Sequence, residues 1–492
     1  MSIISRSIIS ISANLTKAFF SLLTGILLAR GLGPEEYGVF AFFIGTFVSI
    51  RVVMEMGASG AFFTFISKNE RAKNFFSYYI GWITLQFVLS VIFITIIAPD
   101  TWVEKIWEGE SRERVIIAFV AIFFQQTIWN FIAQVGESQR LTARVQILNI
   151  VIAAFHLIFV FGMVWLEVIT IERVYYFIAI EFLIASIVAY FILPICYADG
   201  AESLNSVAKE FKNYCLPLIP LLWIGGIMKF ADIWLLQHYG GSYEQAYYAI
   251  STQFSNLILI ATSSVIKIIW KELSEANGQN NNERVYKVYN HSVKILLVIT
   301  TFAAAFLVFW ASEIVEFTLG EEYHDSSIIM TLMFFLPIYQ GLNQINMTTL
   351  YAIEMPYWQS VIGIGSNLFG FMIAYIMLVP SSGFIPGFDL GGVGLAIKML
   401  LVAFLVSNIR MLVISRLKGW EYKIFYQFKV LVLFVSAGYI SYLVVNLYLI
   451  DTFILYKMFL AGLLYLIFVW WIMRWFLSDV LSIFKPYLKI FK

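Results

Sequence analysis

Apolar runs of about 20 residues, the length that crosses a bilayer as helix, recur along nearly the whole chain. They fall at approximately 8–30, 37–57, 75–98, 115–135, 145–166, 174–196, 214–237, 245–266, 291–311, 326–350, 359–379, 391–414, 427–449 and 454–476. Hydrocarbon offers no water to bond a free peptide group, so such segments cross as α-helices. No connection between them exceeds about 25 residues, which leaves no room for an inserted soluble domain. The expected fold is an all-α polytopic membrane protein with about 14 transmembrane helices. Only 13% of the 492 residues are charged, against about 25% in soluble domains. Disorder, a disulfide scaffold and a nucleic-acid binder are excluded, and the cysteines, Cys196 and Cys215, are too few for a framework. The first residues lack a compact basic region and a small-residue cleavage site, so they read as the start of a span rather than a signal peptide.

Basic residues set the orientation. With the amino terminus in the cytoplasm, 23 Lys and Arg fall on cytoplasmic segments and span ends against 6 on the other side. The cytoplasmic set includes Lys68, Arg71, Lys209, Lys212, Arg410 and Arg416. An even number of spans and two cytoplasmic termini follow.

The chain also repeats itself. Leu27-Leu28-Ala29-Arg30-Gly31-Leu32-Gly33-Pro34-Glu35-Glu36 and Leu235-Leu236-Gln237-His238-Tyr239-Gly240-Gly241-Ser242-Tyr243-Glu244 align at a constant offset of 208. Gly33/Gly241 and Glu36/Glu244 are among the identities, and both stretches end one span and begin the next. Six spans lie between them, so the repeats run parallel, related by an axis along the membrane normal. The expected organisation is two six-helix lobes related by a pseudo-two-fold axis, 1–205 and 206–420, followed by an extra transmembrane helix pair and cytoplasmic tail at 421–492.

Several spans carry polar stripes. Span 1 places Ser10, Asn14, Lys17, Ser21 and Thr24 on one helical face. Others hold Gln126, Asn130 and Gln134, or Asn256, or Asn343 and Asn346, or Asn367. Each alone reads as hydrogen-bonding between helices; together they suggest a polar interior. The in-span charges are Lys17, Arg51, Lys229 and Lys398 with Glu55, Glu181 and Asp232. A charge in hydrocarbon costs about 2.5–3.5 kcal/mol on the lenient insertion scale, so each needs a partner or a cavity. Arg51–Glu55 and Lys229–Asp232 have the spacing to pair on their own helices, whereas Lys17, Lys398 and Glu181 have no local partner. Unpaired, the cations suit an anionic headgroup, especially phosphate. The candidate headgroup-cavity residues are therefore Lys17, Asn14, Ser21, Thr24, Arg51, Lys229, Lys398, Asn256 and Asn343. Asp232, Glu55 and Glu181 are candidate ion-coupling sites.

What is missing narrows the mechanism. No glycine precedes a lysine, so there is no Walker A loop, and no two aspartates stand two apart. The histidines, His156, His238, His291 and His324, lack metal-ligand spacing. Glu321, Glu322, His324 and Asp325 read as a solvated external loop. No metal or cofactor is expected, and a secondary transporter is favoured over an enzyme.

The junction Leu27 to Gly38 resembles that of bacterial Wzx-type polysaccharide-biosynthesis flippases, members of the multidrug/oligosaccharidyl-lipid/polysaccharide exporter superfamily. Met54-Glu55-Met56-Gly57-Ala58-Ser59, Asp232-Ile233-Trp234-Leu235-Leu236 and Leu319-Gly320-Glu321-Glu322-Tyr323 fit as well. The likeness spans essentially the whole chain. One departure is Ile233, where the family often follows the aspartate with arginine. The resemblance implies outward translocation of undecaprenyl-diphosphate-linked oligosaccharide by alternating access in a bacterial inner membrane, serving O-antigen, capsule or exopolysaccharide synthesis. Its implied partners are that substrate, membrane lipids and other polysaccharide-assembly membrane proteins. A multidrug or small-molecule ion-coupled antiporter of the same superfamily is the alternative.

Overall fold

The computed structural model describes residues 3–193, 197–422, 424–449 and 452–478, with side chains placed except at 3–11, 261–265, 267 and 268. Ser10, Cys196 and the cytoplasmic tail expected at the end of the chain lie outside these limits. The regular elements among the described residues are all helical: α1 (Ile3–Glu55), α2 (Ala58–Lys68), α3 (Lys73–Ile92), α4 (Asp100–Ile106), α5 (Arg112–Phe123), α6 (Trp129–Ser138), α7 (Thr142–Trp165), α8 (Ile171–Ile192), α9 (Leu204–Cys215), α10 (Ile219–Leu235), α11 (Gly241–Gly278), α12 (Asn282–Leu307), α13 (Ala311–Leu319), α14 (Ser326–Ala352), α15 (Pro356–Leu378), α16 (Gly391–Lys418), α17 (Ile424–Tyr448) and α18 (Ile454–Trp475).

Among the described residues twelve helices, not fourteen, are long and apolar enough to cross a membrane. The difference has a local cause. Ser12–Glu55 runs for 44 residues and Ile219–Ile260 for 42, each about 60–66 Å at 1.5 Å per residue, twice a hydrocarbon core. Each is interrupted at a glycine. Gly33 has φ 74 and ψ 168, and Gly241 has φ 75 and ψ −177, an extended left-handed region that is essentially closed to any residue with a Cβ. The two positions that align in sequence thus share one backbone conformation.

The chain forms two compact units, Met1–Ala246 with Asn367–Gly391, and Tyr247–Ser366 with Gly392–Lys492. The first segment of the first unit ends at Ala246. The reason is packing: α10 lies along α1. Ile233 fills the space a Cβ on Gly45 would need, and Val53 and Ser49 do the same at Gly226. Elsewhere in this unit α1 packs on α7 and α5 on α8, around Phe42, Phe43, Val115, Ala118 and Tyr175. In the other unit α12 packs on α14 and α17, and α17 on α18, with Leu296, Leu342, Ile345, Ile414, Val430 and Phe434 in its core.

A polar clasp closes one end of the first unit. Between α2 and α3, the Arg71 guanidinium bonds Glu202 at 2.7 Å and Glu210, on α9, at 2.5 Å, and lies 4.2 Å above the Phe75 ring. The Glu210 carboxylate, ahead of Glu202, holds the guanidinium pKa above its usual value. Glu202 also accepts from the Ala72 amide at 2.9 Å, and its carbonyl accepts from Asn74 Nδ2. Arg71→Ala leaves two half-buried carboxylates unpaired. The expected loss is about 2 kcal/mol, a fall of about 4–8 °C in the melting temperature of detergent-purified protein. Glu202→Gln, which keeps the second arm of the clasp, should cost less; equal losses would contradict the shared clasp.

Candidate functional site

The first unit gathers most of the residues picked out in the sequence. Along the α1–α10 seam the contacts run antiparallel, Gly45 to Ile233 and then Val53 to Gly226, with the Trp223 indole donating to the Val53 carbonyl at 3.0 Å. Lys229 stands three residues after Gly226 and four before Ile233, so it shares the face that α10 turns to α1. Its side chain is nevertheless exposed.

The Lys229–Asp232 pair expected from spacing is not made. Asp232 is not free, but no described carboxylate lies within ion-pair distance of Lys229. Lys17 in α1 is likewise exposed and without a carboxylate among the described residues. Around it Asn14 is half-buried and Ser21 exposed. Thr24 is buried, its hydroxyl turned back to the Phe20 carbonyl at 2.9 Å.

Arg51 does pair with Glu55, at 3.5 Å, and it has a second acceptor. Its Nη1 donates to the Gln126 carbonyl at 2.6 Å. Gln126 lies in a π-helical turn, Phe124–Ile128, whose wider hydrogen-bond spacing gives access to backbone that an α-turn would cover. The side chains of Asn130 and Gln134 converge on the Ser59 hydroxyl at 3.2 and 2.9 Å. In this stripe, hydrogen-bonding between helices is the structural role.

Glu181 is 4% exposed and not alone. His156 Nδ1 on α7 lies 2.6 Å from its Oε2, while Oε1 is buried without a hydrogen bond. Sequence reasoning missed this pair although a signal was there. Residues 166–170 turn α7 into α8, and positions 156 and 181 lie about equally far on either side, so an antiparallel hairpin brings them to one depth. His238 is also engaged, 3.0 Å from Glu108.

The second unit holds the remaining candidates. Lys398 is buried and engaged, and Asn256 is exposed. Asn343 donates to the Ala403 carbonyl at 3.2 Å and accepts from Arg410 at 2.9 Å. Arg410, counted in the sequence with the cytoplasmic segments and span ends, is buried, at 8% exposure. Glu321, Glu322, His324 and Asp325 are exposed. Among the described residues no three His, Cys, Asp or Glu come together as a metal site. Lys17 and Lys229, exposed and without a carboxylate among the described residues, are cations chemically suited to an anion.

A model of the polysaccharide biosynthesis protein family matches residues 27–328. No curated protein matches the sequence. Among solved structures, the chain is similar to the lipid II flippase MurJ in an inward closed conformation, with 18% identity over 96% of this chain and 99% of that one, at a TM-score of 0.69. It is also similar to a multidrug resistance MATE family transporter of the MOP superfamily in two conformations. The inward-facing form gives 16% identity, coverages of 84% and 99%, and a TM-score of 0.58. The outward-facing form gives 16% identity, coverages of 85% and 96%, and a TM-score of 0.56. At such identities the likeness is one of fold.

Proposed function

Because the chain belongs to the polysaccharide biosynthesis protein family, we propose that it is a flippase that moves undecaprenyl-diphosphate-linked oligosaccharide from the cytoplasmic to the outer leaflet of a bacterial inner membrane. The observation that carries this reading is the pair Lys17 and Lys229. Both are exposed, lie inside membrane-length helices of one unit and lack a carboxylate partner among the described residues. Two such cations are tolerable beside water and an anionic headgroup, and costly beside lipid. The diphosphate would bind them, the glycan would meet the polar side chains, and the polyprenyl tail would stay in lipid.

With the two glycine-broken helices counted as two crossings each, the chain has fourteen spans. These divide into two parallel six-helix repeats with a trailing pair, and both termini face the cytoplasm. The shared conformation of Gly33 and Gly241 supports the repeat, and alternating access by rocking of the halves suits it. The product would be O-antigen, capsule or exopolysaccharide. Depleting the protein in its host should leave lipid-linked oligosaccharide in the cytoplasmic leaflet and remove the surface polymer. Unchanged surface polymer with heightened drug sensitivity would favour the multidrug antiporter instead.

Energy can come from the membrane potential. A headgroup carrying roughly two negative charges gains about 4.6 kcal/mol on leaving the cytoplasm at about 100 mV, from about 2.3 kcal/mol per charge. Undiminished net accumulation in proteoliposomes clamped at zero potential would contradict this. The His156–Glu181 contact supports a proton as an additional coupling ion, since a buried ionisable pair in a span is a natural proton site. Glu181→Gln is expected to abolish the response of flipping to an imposed pH gradient while keeping the potential-driven component. A variant that still follows the gradient as the wild type does would remove Glu181 from coupling.

A further inference from the structure

The charge on Arg410 is left electrostatically incomplete. Arginine stays protonated in proteins, and this one is 8% exposed within a membrane-length helix, α16. Its Nη1 donates to the neutral Asn343 amide at 2.9 Å, and its Nε is buried with no acceptor. Among the described residues no carboxylate lies within ion-pair distance.

The neighbouring amides offer no relief. Asn346 accepts from the Tyr289 hydroxyl at 2.8 Å and donates to the Ser407 carbonyl at 2.9 Å. The Asn408 carbonyl accepts from Tyr422 and Gln427 at 3.0 and 3.1 Å. Asn343 itself is fixed by its bond to the Ala403 carbonyl at 3.2 Å, which turns its oxygen toward Arg410. A guanidinium kept in such a place by one neutral acceptor is explained by a ligand that supplies the missing negative charge.

We propose that Arg410, positioned by Asn343, forms an anion site in the second unit that takes a phosphate oxyanion. The planar fork of donors matches two oxygens of one phosphate group. The assignment rests on the flippase reading only for the source of that phosphate, the diphosphate of a polyprenyl-linked substrate; the anion chemistry comes from the burial and the missing counter-charge.

The test uses full-length protein in phosphatidylcholine nanodiscs. Farnesyl diphosphate and inorganic pyrophosphate are titrated separately, and phosphatidylglycerol is added to the bilayer in a third arm. Affinity is read from tryptophan fluorescence, and the melting temperature is taken with and without each probe. Arg410→Met is expected to weaken binding of the diphosphate probes at least tenfold. Its ligand-free melting temperature should equal or exceed that of the wild type, because an uncompensated buried charge has been replaced by an apolar chain of similar reach. Arg410→Lys, which keeps the charge and loses the fork, should fall between.

Unchanged affinity in Arg410→Met, or a wild type that binds none of the three probes, would overturn the site. So would a ligand-free Arg410→Met that melts far below the wild type with unaltered binding, the mark of a purely structural bond. Arg410-dependent binding of pyrophosphate or phosphatidylglycerol that exceeds binding of farnesyl diphosphate keeps the anion site and contradicts only the polyprenyl source.

Discussion

Lys229→Ala is expected to abolish delivery of lipid-linked oligosaccharide to the outer leaflet while leaving the amount of membrane-inserted protein unchanged. Lys229 makes no ion pair among the described residues and is exposed on the α10 face turned to α1, so its removal breaks no ion pair between helices. It also relieves the chain of a charge in a span, which favours insertion. What is lost is a charge-assisted bond to the diphosphate. Such bonds contribute about 1.5–3 kcal/mol, or roughly 10- to 150-fold in binding. A larger effect on rate follows if the cation also holds the headgroup while it passes mid-membrane. Lys17→Ala should behave alike, and Lys229→Arg should keep most activity. Measuring outer-leaflet lipid-linked glycan beside membrane protein level separates loss of transport from loss of protein.

Gly38→Ala is expected to have the largest effect on the fold. A Cβ at this position would stand 1.8 Å from the Ser242 carbonyl oxygen and 2.6 Å from its carbon. Those atoms are backbone, so no side chain can swing aside. The α1 and α11 segments just past the two aligned glycine breaks would have to separate by more than an ångström. That overpacking should cost about 3 kcal/mol or more, seen as loss of monodisperse protein in detergent. Gly162→Ala is the matched control. Gly162 lies in the last turn of α7, and an added methyl there would meet nothing within 4 Å, so alanine should leave the melting temperature unchanged or raise it. Equal behaviour of the two variants would contradict the close approach at Gly38.

The spans were legible because bilayer thickness imposes a length that local composition reports directly. The turn at Gly33 and its counterpart at Gly241 were legible through repetition, and their backbone angles coincide. Lys17, Lys229 and Arg51 stood out because charge is rare in apolar helices. Partners were harder to read. The Arg51–Glu55 pair is local and was visible as spacing. Spacing also suggested Lys229–Asp232, which is not formed, since side-chain direction depends on what each face of α10 meets.

His156–Glu181 needed hairpin geometry rather than helical periodicity. The surroundings of Arg410 were not legible, because its burial beside Asn343 depends on packing between helices far apart in sequence. The fit of Ile233 onto Gly45 and of Val53 onto Gly226 was not legible either, because it joins segments far apart in sequence.

The decisive measurement is leaflet exchange of a fluorescent polyprenyl-diphosphate oligosaccharide in proteoliposomes, comparing wild-type protein with the Lys17→Ala, Lys229→Ala double variant. The wild type should carry the lipid across far faster than protein-free vesicles, and the double variant should match the empty vesicles. Exchange by the double variant at the wild-type rate, or none by the wild type, would contradict the proposed passage of the headgroup along these two lysines.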